Sequence, residues 1–278
     1  MNKQARSESS SLGTPSIIID DECTWPEKLS VVFEENLETL AAYEKERARV
    51  DDFAKADVGL RIFPPANPHA GTRTRVLDKA NQLLANARLV GWHCARLHPD
   101  EITSIQSDGL HALSRELAVG RVRKLETVGD LSPKVAERLV TENKADESNR
   151  RSLVCLIFTR LPLRNELCVV RLFRSWGGEA LYNDHESDPE IGPVLRSIGI
   201  PCIVEVAVPV TGITTFCSVE ESMMRGFLHR RHVQTGHSPE MEGSVGVPIP
   251  GRDVRRILRR NDPEFELLTQ CSTWGERI

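Results

Sequence analysis

The sequence lacks several features that would mark particular classes of protein. No apolar run approaches the roughly 20 residues that a membrane-spanning helix needs, and the opening stretch MNKQARSESSSLGTP has no apolar segment typical of a secretory signal. The seven cysteines show no CxxC spacing, which would indicate a zinc or redox site. Cys94, Cys155 and Cys202 stand in apolar runs, as reduced buried thiols do. We therefore predict a cytoplasmic protein with no membrane partner.

Lysine is also scarce, since the chain has 8 lysines and 28 arginines. Arginine favours forked contacts to carboxylate or phosphate groups. The net charge of −4 argues against a protein that coats nucleic acid. The charge is uneven, however, since residues 20–52 are acidic whereas residues 225–231 and 252–260 are basic.

The pattern of apolar residues predicts an α+β fold. We expect a disordered N-terminus (1–24), an N-terminal helix with a Pro-rich linker (25–71) and an α+β domain (72–278). Alternating and apolar runs predict strands at 88–95, 152–158 and 201–210. Helical spacing and capping residues predict helices at 29–43, 72–87, 99–108, 113–126, from 133 onward, 164–176, 218–231 and 251–260. There are no internal repeats and no Gly-rich phosphate turn.

Two of the predicted strands end in polar residues. His93 and Arg96 follow the apolar start of one strand, and Thr159 with Arg160 ends another. Arginine is rarely buried without an anionic partner, so the two clusters predict one cleft for an anionic ligand. The alternative for His93 is a core histidine satisfied by a backbone carbonyl.

These stretches resemble known motifs. WHCARLHPDEITSIQSDGL (92–110) resembles the first-strand motif of the ADP-ribosyltransferase superfamily, in which a histidine on a strand is followed by a helix and a Gly-Leu turn. VCLIFTR (154–160) resembles its second core strand. The resemblance covers residues 88–268, but Cys94-Ala95 stands where Gly-Thr is usual and Phe158-Thr159-Arg160 where many members have a tyrosine. The chain is also similar to a bacterial family marked by the sequence RLFRSWGGEALY.

The superfamily resemblance implies both a fold and an activity. The fold would be mixed or antiparallel split β-sheets around a central cleft, preceded by the N-terminal helical module. The activity would be cleavage of NAD, a substrate rather than a resident cofactor, with transfer of ADP-ribose to a protein, nucleic acid or small-molecule acceptor. Such an enzyme would act as a bacterial toxin or phage-defence effector, with an antitoxin or another partner protein.

The resemblance also implies roles for individual residues. His93 would hold the ribose or the nicotinamide end of NAD, and Arg96 or Arg160, beside Thr159, would bind the pyrophosphate. A carboxylate near the ribose would stabilise the oxocarbenium-like centre.

The catalytic carboxylate has two candidates. We rank Glu179 first, because two glycines precede it and Trp176 and Tyr182 offer stacking faces on either side. Glu242 is the second, because the superfamily often places its catalytic glutamate on a strand just before a "VP…I..I" stretch.

Two other functions remain open. One is a non-catalytic module that binds a nucleotide or a peptide. The other is a nucleotide-processing hydrolase whose carboxylates activate water with the help of a metal. The sequence itself predicts no metal site.

Overall fold

The computed structural model describes residues 16–57, 59, 62–276 and 278. Disorder is predicted for residues 1–24, and of these, residues 1–15 lie outside the described residues. Residues 16–24 are ordered, which corrects the prediction for that part. Ile17 and Ile19 are buried in the core, and Glu22–Thr24 form a 3-10 turn.

The chain alternates helices with short and long strands. The helices are α1 (Glu27–Glu34), α2 (Leu37–Ala56), α3 (Ala70–Leu84), α4 (Pro99–Asp108), α5 (Arg115–Val128), α6 (Pro133–Thr141), α7 (Arg160–Arg164), α8 (Glu166–Arg174), α9 (Glu179–His185), α10 (Ile191–Ser197), α11 (Val219–Arg230) and α12 (Pro263–Thr269). The strands are β1 (Ser16–Ile17), β2 (Arg88–Leu97), β3 (Gly109–Leu110), β4 (Val154–Ile157), β5 (Ile200–Pro209), β6 (Ile213–Thr215), β7 (Glu242–Val245), β8 (Ile249–Pro250) and β9 (Val254–Arg259). Within the part of the chain that the structure describes, no helix combines the length and apolar character needed to cross a membrane.

The main sheet has the strand order β6-β7-β4-β2-β5-β9, and all of these neighbours are antiparallel. β1 adds to the sheet in parallel beside the start of β2, and β3 pairs with β8 in a separate small sheet. The predicted mixed fold with antiparallel strands is confirmed at this level.

The sheet consists of two halves that meet at a narrow seam. β2 pairs with β5 along its whole length, from Arg88 to Leu97. In contrast, β2 and β4 share a single register pair, Trp92 with Ile157. The half β2-β5-β9 and the half β4-β7-β6 are therefore joined in register at this one pair.

Helices cover both faces of the sheet, and the alternation of side chains along each strand divides the core between them. On the first face, Leu89 and Leu97 of β2 pack with Leu156 of β4 and with residues of α1, α3 and α11. On the second face, Trp92 and Ile157 pack with residues of α8. A third apolar cluster joins α5, α6, α9 and α10.

The N-terminal helices belong to the first of these cores. Leu29, Val32 and Phe33 of α1 are buried in the cluster that contains the sheet. The predicted helix at 29–43 is two helices, α1 and α2, separated by Glu35 and Asn36.

Acidic residues of this N-terminal segment neutralise part of the basic stretch 225–231. Glu22 forms ion pairs with Arg230 and Arg231, and Glu34 forms another with Arg231. These pairs leave less positive charge on the stretch than the sequence indicates.

The predicted helix at 251–260 is wrong, because Val254–Arg259 form the edge strand β9. The register along β5 shifts between Glu205 and Val206, so that Arg255 is an extra residue on β9. A bulge of this kind breaks the alternation of a strand. It places apolar residues at 254, 257 and 258, which is helical spacing, and this explains the error.

Candidate functional site

His93 lies at the seam of the sheet, directly after the last register pair between β2 and β4. Its Nδ1 atom is 3.0 Å from the backbone oxygen of Cys155. Because a carbonyl can only accept, Nδ1 carries the proton and Nε2 of the neutral ring is an acceptor. Burial lowers the pKa of His93, and the charge of Arg121 lowers it further, against the opposing effect of the carbonyl.

Arg96 does not share a cleft with His93. Residues three apart on a strand point to opposite faces, and Arg96 lies on the second face. Its guanidinium donates to the backbone oxygens of Ile198 (2.7 Å) and Phe173 (3.2 Å). This corrects the expectation that both residues hold one ligand.

Thr159 and Arg160 are engaged by other parts of the chain. The hydroxyl of the buried Thr159 accepts a 3.0 Å hydrogen bond from the backbone N–H of Met241. Asp20 accepts a hydrogen bond from the backbone N–H of Arg160, whose guanidinium forms an ion pair with Asp21 at 3.4 Å. Arg160 thus holds the N-terminal segment, while Thr159 fixes the backbone next to Glu242.

Trp176 and Tyr182 do not offer stacking faces, because both are buried in the third core cluster. The indole N–H of Trp176 donates to Glu101 at 2.9 Å. Burial raises the pKa of Tyr182. Both rings are close to Glu179 in the sequence, but the local sequence does not show which helices cover them.

Glu179 is the first residue of α9 and follows two glycines with positive φ, Gly177 (97°) and Gly178 (68°). Its side chain is 53% exposed and lies 3.7 Å from Arg150. The apolar surroundings expected for this carboxylate are therefore absent, since its two aromatic neighbours in sequence turn into the core.

Glu242 is the first residue of β7 and is paired in register with Ile157 at the seam. Its side chain remains accessible, yet partial burial raises its pKa, and the charge of Glu240 raises it further. β7 therefore places the carboxylate of Glu242, with its raised pKa, two strands away from β2. It is level with Ile157, the residue of β4 that is paired with β2.

Cys155 of β4 lies near three of the predicted residues, although different groups of Cys155 are involved. Its carbonyl is bound to His93. Burial raises the pKa of its thiol, as do the negative charges of Glu179 and Glu242. Cys155 itself is exposed, which corrects the prediction that it is buried. Glu179 and Glu242 thus lie within electrostatic range of the Cys155 side chain. Glu242 shares the second face of the sheet with Ile157, whereas His93 lies on the first face and contacts only the backbone oxygen of Cys155.

Arg150 is a further charged residue of this cluster and was missed by the sequence analysis. Its guanidinium contacts Glu147 at 3.2 Å as well as Glu179. Its Nε and Nη1 atoms are buried without a hydrogen-bond acceptor among the described residues. Arg150 stands in a polar segment between α6 and β4, where no local pattern distinguishes it from a solvated loop residue.

The cluster has no arrangement suited to a metal. Across residues 16–57, 59, 62–276 and 278, no group of three or more histidine, cysteine, aspartate or glutamate side chains could hold a metal ion. Comparisons with family models, with curated proteins and with solved structures found nothing that matches this chain.

Proposed function

We propose that the protein is an ADP-ribosyltransferase-like enzyme that cleaves NAD and transfers ADP-ribose to an acceptor. The observation that carries this proposal is the seam. β2 and β4 share a single register pair next to His93, and a strand-borne carboxylate, Glu242, lies in the neighbouring half of the sheet. The superfamily resemblance implies a histidine and a carboxylate that reach one ribose. His93 and Glu242 lie near the seam on opposite faces of the sheet, so the proposal requires the ribose to contact both across it.

His93 would bind the nicotinamide ribose. The carbonyl of Cys155 orients the ring and determines which nitrogen is protonated. Nε2 is then free to accept a hydrogen bond from a ribose hydroxyl. The lowered pKa keeps the ring neutral at pH 7, so this acceptor stays available and adds no positive charge beside the developing cation.

Glu242 is the better candidate for the catalytic carboxylate, which reverses the order that the sequence suggested. The raised pKa of Glu242 indicates a partly desolvated carboxylate on a sheet strand. Glu179 is more than half exposed and shares its charge with Arg150. Exposed, paired charges are screened and have weak electrostatic effects.

The reaction follows from these roles. The bond between C1′ of the ribose and the ring nitrogen of nicotinamide breaks, and the electron pair leaves with nicotinamide. The carboxylate of Glu242 stabilises the positive charge that develops on the ribose. A nucleophilic atom of the acceptor then bonds to C1′ and loses its proton. Arg150 supplies the positive charge that Arg96 and Arg160 were expected to bring to the phosphates.

A non-catalytic binding module is the second candidate, and one observation favours it. His93 is satisfied by a backbone carbonyl, which is the arrangement expected of a structural histidine in a core. In that case the cleft would bind a nucleotide without breaking it.

Nicotinamide release from NAD is the decisive measurement. We expect the wild type to release nicotinamide and to unfold at a higher temperature with millimolar NAD, because a ligand of the folded state stabilises it. Glu242→Gln should bind NAD similarly but turn over roughly 10²–10³-fold more slowly, since the lost interaction acts in the transition state. The exposed Glu264→Gln is the matched control and should behave as the wild type.

The outcomes separate the alternatives. Loss of turnover in Glu179→Gln but not in Glu242→Gln would transfer the catalytic role to Glu179. A thermal shift with intact NAD would support the binding module. The absence of any shift with NAD, ADP-ribose or nicotinamide would refute a nucleotide site at the seam.

A further inference from the structure

A cavity lies at the far end of β2, on the face opposite His93. Its volume is about 490 Å³, within the range of roughly 300–1,000 Å³ that is typical of small-molecule sites. Its lining consists of Arg96, Ile200, Pro201, Arg259, Arg260, Asn261, Asp262 and Ile278. Three of the residues around this space are therefore arginines.

Arg96 enters the cavity with most of its hydrogen-bonding capacity unused. A guanidinium carries five N–H groups, and two of those of Arg96 donate to the carbonyls of Ile198 and Phe173. No carboxylate lies within ion-pair distance of it among the described residues. Burial lowers the pKa of Arg96, and the charge of Arg260 lowers it further. A half-buried cation in this position favours an anionic partner.

Arg259 and Arg260 bring two more positive charges, and neither forms an ion pair with a described residue. Their side chains are exposed at the end of β9. The one acid in the lining, Asp262, accepts a 2.6 Å hydrogen bond from the backbone N–H of Arg259. Among the side chains of the lining, one carboxylate faces three guanidinium groups, so these side chains carry a net positive charge.

We propose that this cavity is a binding site for a small phosphorylated molecule, separate from the seam at His93. Guanidinium groups bind phosphate through two parallel hydrogen bonds, and three of them surround this space. Ile200, Pro201 and Ile278 offer apolar contacts to the body of the ligand. Arg96 lies beside Phe173 of the second-face core, on the face of β2 opposite His93. The site therefore does not depend on the proposed NAD cleavage.

Titration calorimetry with inorganic pyrophosphate at constant ionic strength tests the proposal. The double variant Arg259→Gln/Arg260→Gln removes two exposed charges and leaves Arg96, which also supports the backbone, in place. Arg252→Gln is the matched control, because Arg252 is likewise exposed and forms no ion pair with a described residue. We expect wild-type binding, an increase in Kd of about tenfold or more in the double variant, and an unchanged Kd in the control.

Three results would overturn the proposal. One is the absence of binding heat from the wild type at millimolar pyrophosphate. Another is equal weakening by Arg252→Gln and by the double variant, which would mean that the effect is not specific to the cavity. Binding that survives in the double variant would assign the pyrophosphate to another site, such as the seam, and would also refute it.

Discussion

Glu101 contacts three parts of the molecule, and its replacement is expected to lower the free energy of unfolding. It lies in the first turn of α4, where its carboxylate accepts the backbone N–H of His98 at 2.8 Å and completes a capping box. It also accepts the indole N–H of Trp176 at 2.9 Å and forms an ion pair with Arg121 of α5. The carboxylate thus connects α4 and α5 to the segment before α9.

The cost of Glu101→Met can be estimated from these contacts. The indole N–H of Trp176 is in a fully buried residue, and an orphaned buried donor costs about 1–3 kcal/mol. Loss of the cap adds about 0.5–2 kcal/mol. Arg121 is partly exposed and can be hydrated, so it adds little. We expect a loss of about 1.5–5 kcal/mol, a large part of the roughly 5–15 kcal/mol that stabilises a typical domain.

Urea unfolding at pH 7 measures this loss. Asp100→Asn is the control, because Asp100 lies in the same helical turn but forms only an exposed ion pair with Lys124, and it should cost less than about 1 kcal/mol. Burial alone would raise the pKa of Glu101, but Arg121 and the hydrogen bonds lower it below its ordinary value of 4.5. Its contribution is therefore complete above pH 4.5 and is lost as the pH falls through the folded-state pKa. Equal losses in both variants at pH 7 would refute the reasoning.

Two further predictions concern Glu242 and the N-terminal helices. The pKa of Glu242 is raised from 4.5 in the folded protein, so its contribution to stability is complete below pH 4.5 and is lost as the pH rises through the folded-state pKa. Glu242→Gln should accordingly unfold at higher urea than the wild type at pH 7 and show no such gain at pH 4, and a gain equal at both pH values would contradict the assigned cause. Deletion of residues 1–62 should reduce solubility and the cooperativity of unfolding, because it uncovers the face of the sheet on which Leu29 and Phe33 pack. A truncated protein as soluble and as cooperative as the full chain would show that these helices are an independent appendage.

Much of the local structure was accessible from the sequence because local interactions determine it. Ser132 caps α6 ahead of Pro133, and Pro99 begins α4, as their side-chain chemistry predicts. The long apolar runs form β2, β4 and β5, because strands buried on both faces need continuous apolar sequence. The opposite directions of His93 and Arg96 also follow from the two-residue period of a strand, and the expectation of a shared cleft overlooked this.

Other features depended on contacts between distant residues. Pairing with β5 makes Val254–Arg259 a strand, and the bulge opposite Glu205 explains why their apolar spacing is helical. Trp176 is buried because α5 and α6 cover it, which no neighbouring residue indicates. Glu242 reaches the seam through its pairing with β4, 85 positions earlier in the chain at Ile157. The sequence by itself determined most of the longer helices and strands, with β9 the exception, since these respond to neighbours within a few residues. The tertiary structure decided which side chains share a surface, because that depends on strand pairing and helix packing across the whole chain.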